Sequence, residues 1–145
     1  MSNSMPGLLH EISIQAPAAK VYEALTTSAG LQSWWTTDAV AEPRVGAVAE
    51  FGFFGRKVVF QMRIDELTPA RRIVWQCIGG PDEWPQTRVI WELTEQDGET
   101  RVCFDQTGWP NSEGHFRPAN STWGALIFRL KDYVEGKSPG PHFKS

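Results

Sequence analysis

The 145-residue sequence is short of several things, and each shortage removes a class of protein. It has only two cysteines, Cys77 and Cys103, which are too far apart for a CxxC zinc site and too few for a disulfide framework, so both are expected to be reduced. It has no excess of positive charge: 14 Lys and Arg against 17 Asp and Glu leave a net charge of −3, so no basic field draws it to nucleic acid or to an anionic membrane. No apolar run approaches the roughly 20 residues that a membrane-spanning helix needs. The opening MSNSMPG lacks a basic segment, and His10 and Glu11 interrupt the apolar residues after it. It does not read as a secretory leader, so a cytoplasmic location is expected. There is no internal repeat, no P-loop and no metal-ligand spacing, and neither a metal nor a cofactor is expected.

Aromatic side chains, by contrast, are abundant: seven Trp and eight Phe against two Tyr. In a chain of one domain's length, that much ring surface either packs as core or lines a cavity. Hydrophobic periodicity shows where the rings belong. Leu8 to Gln15 alternates apolar and polar residues as a half-buried strand does, and Ala16-Pro17 ends it. Pro17 to Thr27 then reads as a short amphipathic helix with Val21, Ala24 and Leu25 inward. Ser28 is the N-cap candidate for a further turn, Leu31 to Trp35.

From residue 45 the period is two. The strands are Val45 to Phe54, Lys57 to Leu67, Arg72 to Ile78, Thr87 to Thr94 and Thr100 to Thr107. Asp97-Gly98 is a hairpin turn between the last two. GGPDEWP (79–85) and GWPNSEGHFRP (108–118) interrupt as loops, each carrying a tryptophan. A 3.6-residue period then returns over Pro118 to Gly136, with Trp123, Ile127 and Leu130 on the apolar stripe and Gly136 as the C-terminal cap. The organisation expected is a flexible 1–7, a single domain over 8–136 and a tail over 137–145. Its class is α+β: a curved antiparallel sheet wrapped around a long C-terminal helix, with two short helices after the first strand.

The stretches IQAPAAKVYEALTT with GLQSWW, RVGAVAEF, IDELTPARRIVWQ, VIWELTEQDGETRVCFDQTGW and STWGALIFRLKDYVEG occur here in one order. Together they resemble the START-like (SRPBCC) superfamily, and within it the family named for the activator of the heat-shock-protein ATPase. The resemblance covers residues 8–136 and implies a helix-grip fold. Two positions depart from the family pattern: Gln106 stands where a histidine is common, and Trp123-Gly124 reverses the usual Gly-Trp order.

A fold of this kind implies a cavity between sheet and helix. Trp35, Phe51, Phe60, Met62 and Trp75 are candidates for its lining from one half of the molecule. Trp91, Phe104, Gln106, Trp123 and Ile127 are candidates from the other half. Gln106, the lone polar side chain on the inward strand face, would orient a ligand by hydrogen bonding. Trp84, Trp109 and His115 sit on the two loops and are candidate lids. No catalytic constellation is visible: the inward strand positions carry neither carboxylate nor histidine, and Cys77 has no base in its own strand.

The expected function is therefore non-covalent binding of a small apolar or aromatic molecule by a monomer or weak homodimer. One alternative is a cyclase-, aromatase- or hydrolase-like enzyme using the same cavity. Another, implied by the family name, is a module that binds a heat-shock ATPase. Against that last reading, the outward strand positions carry charges such as Arg63, Asp65, Arg88 and Glu92, as solvated faces do.

Overall fold

The computed structural model describes residues 7–144. The expectation for residues 1–6 lies outside them. Strand β1 (Leu8–Ile14) is followed by helices α1 (Ala18–Thr26) and α2 (Ser28–Trp34). Six strands follow: β2 (Asp38–Val40), β3 (Val48–Phe53), β4 (Val58–Thr68), β5 (Arg72–Gly79), β6 (Arg88–Gln96) and β7 (Glu99–Thr107). Helix α3 (Phe116–Val134) closes the order. All seven strands form one antiparallel sheet, β1-β7-β6-β5-β4-β3-β2, in which β1 returns to pair with β7. With α3 held against its inner face, this is the α+β arrangement expected from the periodicity and the helix-grip architecture that the resemblance implies.

The alternation places the side chains as read. Ala49, Phe51 and Phe53 of β3, Met62 and Ile64 of β4, Ile73, Trp75 and Cys77 of β5, and Val89, Trp91 and Leu93 of β6 are all buried. Asp97 and Gly98 both adopt positive φ (55° and 78°), which joins Gln96 to Glu99 in the primed turn that suits a right-twisted hairpin. At the end of α3, Gly136 takes φ +94°. Its N–H donates to the Tyr133 carbonyl and that of Lys137 donates to Asp132, so two orphan carbonyls are satisfied by a Schellman turn.

Four details differ from the sequence reading. The N-cap of α2 is Thr27, whose Oγ1 accepts from Gly30 N at 3.0 Å. Ser28 instead exchanges hydrogen bonds with the backbone of Ala41. Strand β2 is additional, because three residues are too few for a period to show. Helix α3 starts at Phe116, with Pro118 in its first turn, where a missing N–H costs nothing. Finally, His10 lies within β1 on the inward face shared with Leu8 and Ile12. Its ring packs 5.8 Å from that of Phe104, so one ionisable group does face inward.

Opposite His10, α3 carries Gly124. A Cβ there would meet only His10 Cε1, at 3.7 Å, which is ordinary contact. Gly124→Ala is therefore expected to stabilise the fold by about 0.5–1 kcal/mol, through helix propensity alone. A thermal midpoint raised by about 2–3 °C would show it, and a lowered one would reveal a tighter packing than the geometry has.

Candidate functional site

Among the described residues, the backbone of α3 comes close to β1, α1 and α2 and to no other strand. Elsewhere the space between helix and curled sheet must be filled by side chains. Around its middle it is filled. Trp35 stacks on Phe51 at 4.2 Å, Trp91 meets Phe104 edge-on at 4.9 Å, and Trp123 lies 4.4 Å from Phe104 and 5.0 Å from Trp35. Toward the β3–β4 hairpin the filling stops. A cavity of about 210 Å³ remains.

Its walls come from five places. The sheet supplies Phe53, Val58 and Phe60, with Phe54 at the hairpin turn, and Trp35 adjoins α2. Helix α3 and its cap supply His115, Pro118, Ala119, Thr122, Trp123 and Leu126. The loop after β5 supplies Pro81 and Trp84, and the C-terminal segment supplies Phe143. Of the residues singled out in the sequence, Trp35, Phe60, Trp84, His115 and Trp123 line this space. Phe51, Met62, Trp75, Trp91, Phe104, Gln106 and Ile127 lie in the packed core beside it, and Trp109 lies beneath Trp84.

Gln106 is fully buried and already engaged. Its Oε1 accepts the Trp123 indole N–H at 2.9 Å, and its Nε2 donates to Thr87 Oγ1 at 3.0 Å. The Thr87 hydroxyl in turn donates to the Trp84 carbonyl at 2.6 Å. Rather than facing a ligand, Gln106 joins α3, β7 and the loop after β5 in one relay, which sets the position of two cavity walls. Cys77 is also buried and donates to the Gly79 carbonyl. Burial pushes its thiol up to about 11, so it is protonated at neutral pH and is not an activated nucleophile.

The two loops lie side by side. Trp84 stacks on Phe60 at 4.2 Å and meets Trp109 edge-on at 5.4 Å. Gly80 (φ +149°) lets the chain pass Phe60 closely enough for that stack, since a Cβ would fall 2.6 Å from the ring. Glu83 then ties the loops together: its carboxylate accepts from the backbone N–H of His115 and from Asn111 Nδ2.

Those hydrogen bonds hold the Glu83 carboxyl below its ordinary range. A carboxylate so held contributes to the folded state above that range, and the contribution is lost as pH falls through it. The protection of amides across 111–115, taken relative to the intrinsic exchange rate at each pH, is accordingly expected to be high at pH 6 and to be lost in acid below the ordinary carboxylate range. Glu83→Gln should be poorly protected at both; a variant as protected as the wild type at pH 6 would mean that the carboxylate latches nothing.

Phe143, absent from the sequence candidates, is brought to the cavity by backbone pairing. Its N–H donates to Trp35 O at 2.8 Å and its carbonyl accepts from Thr37 N at 3.1 Å. Arg129 of α3 holds the approach by donating to the carbonyls of Pro139, Gly140 and Pro141. An aromatic in a Gly- and Pro-rich stretch was the available sign, the same one that marked Trp84 and Trp109.

A curled antiparallel sheet gripping one long helix, with an apolar space between them, defines the START-like class of domain. The chain belongs, within it, to the family of activator of Hsp90 ATPase homolog 1-like proteins, whose sequence profile matches residues 15–135. Among solved structures it is similar to the Aha1 dimer from Colwellia psychrerythraea, at 30% identity over 92% of this chain and 98% of that one, with a TM-score of 0.83. It shares its fold with DynU16, a putative protein in the dynemicin biosynthetic locus, at 23% identity over 97% of this chain and 51% of that one, with a TM-score of 0.77. Protein MLL2253 from Mesorhizobium loti has the same fold at 18% identity, over 89% and 96% of the two chains, also with a TM-score of 0.77. Among curated proteins, none matches the chain in sequence. No helix among the described residues is long and apolar enough to cross a membrane.

Proposed function

We propose that the protein binds a small apolar or aromatic molecule, without covalent chemistry, in the cavity between the β3–β4 hairpin and α3. The observation that carries this reading is the cavity itself, walled by Trp35, Phe53, Phe60, Trp84, Trp123 and Phe143 beside a core whose rings pack closely. Its size selects the ligand. At about 210 Å³ it exceeds the ~150 Å³ cavity that admits benzene, and it falls short of the roughly 300 Å³ at which drug-sized sites begin. One or two fused rings fit.

Titration with a size series, followed by native mass spectrometry, tests the proposal. Single- and double-ring aromatics are expected to bind one per chain below millimolar concentration, and three-ring ones to be excluded. Ala119 is buried in the wall, so Ala119→Leu places three more carbons in the space and should abolish binding while the fold persists. Binding unchanged in that variant would remove the cavity from consideration.

The dimer of the Colwellia relative is the support for a weak homodimer here, which sedimentation over a concentration series would reveal. The cavity reading requires no chaperone partner.

A further inference from the structure

The cavity wall is apolar almost throughout, and its exceptions are both on or beside α3. They are His115, the N-cap residue, and Thr122, two turns further along. Two turns are about 10 Å of helix, so the two polar groups stand at different ends of the space. Among the described residues Thr122 has no side-chain partner, and nothing fixes the direction of its hydroxyl. His115 is held differently. Its own backbone N–H donates to Glu83 Oε1, and its Nδ1 lies 3.3 Å from the same oxygen.

That Nδ1 is buried without a hydrogen-bond partner among the described residues, while the side chain as a whole keeps 45% of its exposure. The ring therefore keeps hydrogen-bonding capacity for an occupant, and an imidazole can pair with a hydroxyl as donor or as acceptor. The result is a polar group, positioned in advance, at one end of an apolar space.

Resting on the reading of this cavity as a ligand site, the geometry points to the class of ligand: an aromatic of one or two rings carrying a hydroxyl that hydrogen-bonds the His115 imidazole while the rings lie among Phe60, Trp84 and Trp123. His115 is then the residue that determines specificity, and Glu83 positions it. The hydroxyl is expected at the loop end of the cavity, with the hydrocarbon body toward Trp35.

Calorimetric titration with 2-naphthol and with naphthalene, which differ by this one group, tests the assignment. The wild-type protein is expected to bind 2-naphthol about fivefold or more tightly, the range one net hydrogen bond supplies. His115→Phe and His115→Ala should both bring the two affinities together, whatever each does to the affinity for naphthalene itself; two substitutions are used so that a packing defect in one does not decide the result. Thr122→Val should keep the preference. Equal affinities in the wild-type protein would overturn the assignment and leave the cavity reading standing. So would a preference that survives at both His115 variants, or one that disappears with Thr122→Val. Binding of neither compound would overturn both readings together.

Discussion

Replacing Trp91 by alanine is expected to cost about 3–5 kcal/mol, the range for deleting a large ring from a packed core, and to lower the thermal midpoint by about 10 °C or more. Against a total stability of roughly 5–15 kcal/mol, that is a large share. Trp91 is fully buried in β6, edge-on to Trp34, Trp75, Phe104 and Trp123 at 4.9–6.4 Å. These neighbours sit on four separate elements or their ends, so removing one ring uncouples them all.

Trp91→Phe should cost much less. It keeps most of the ring area, and it removes a buried indole N–H that has no hydrogen-bond partner among the described residues. Because Trp91 does not line the cavity, ligand binding measured at a temperature where Trp91→Ala is folded should be close to that of the wild type. Unchanged stability in Trp91→Ala would mean that the cluster is loosely filled and that the cavity extends into it.

The contrast between Trp91 and Phe60 shows where reading a sequence stops. Period-two alternation says which side chains point inward. It put Trp91, Phe60, Phe51 and Trp75 on one face, and the sheet bears this out. Whether an inward ring meets another ring or an empty space depends on the line taken by α3, and no spacing within a strand encodes that. The helix was legible as an amphipathic stripe, but its approach to β1 rather than to β3 and β4 is a consequence of long-range packing.

Residues with no period at all were the hardest to place. Phe143 belongs to neither helix nor strand, and it reaches the cavity only because Trp35 and Thr37 pair with its backbone. His10 is a simpler case: the alternation of Ile12 and Ile14, carried back two residues, puts the imidazole inside. Helix α3 does not cover the sheet alone. Helix α1 packs on β6 and β7, and α2 on β2, so the short helices plug one side of the groove and confine the open space to the other.

Gln106→Leu is expected to destabilise the protein by about 1–3 kcal/mol, a large effect for a near-isosteric change, because it strands the buried Trp123 indole N–H and takes a donor from the Thr87 hydroxyl, which keeps its bond to the Trp84 carbonyl. The Trp123 indole N–H would lose its acceptor and the Thr87 hydroxyl its donor, both in a place without water contact. Removing both partners of the indole hydrogen bond should cost less than the two separate losses. In Trp123→Phe combined with Gln106→Leu, the indole N–H no longer exists to be left unpaired, so the double variant should cost less than the sum of the singles by about 1 kcal/mol or more. The relay ends on Trp84, which forms part of the cavity wall. Amides of residues 83–87 should therefore exchange faster in Gln106→Leu even under conditions where the sheet stays protected. A role for Gln106 in touching ligand predicts the opposite pattern: loss of affinity with stability nearly intact, and additive costs in the double variant. That pattern, if measured, would move Gln106 from the framework that shapes the cavity to the surface that faces its occupant.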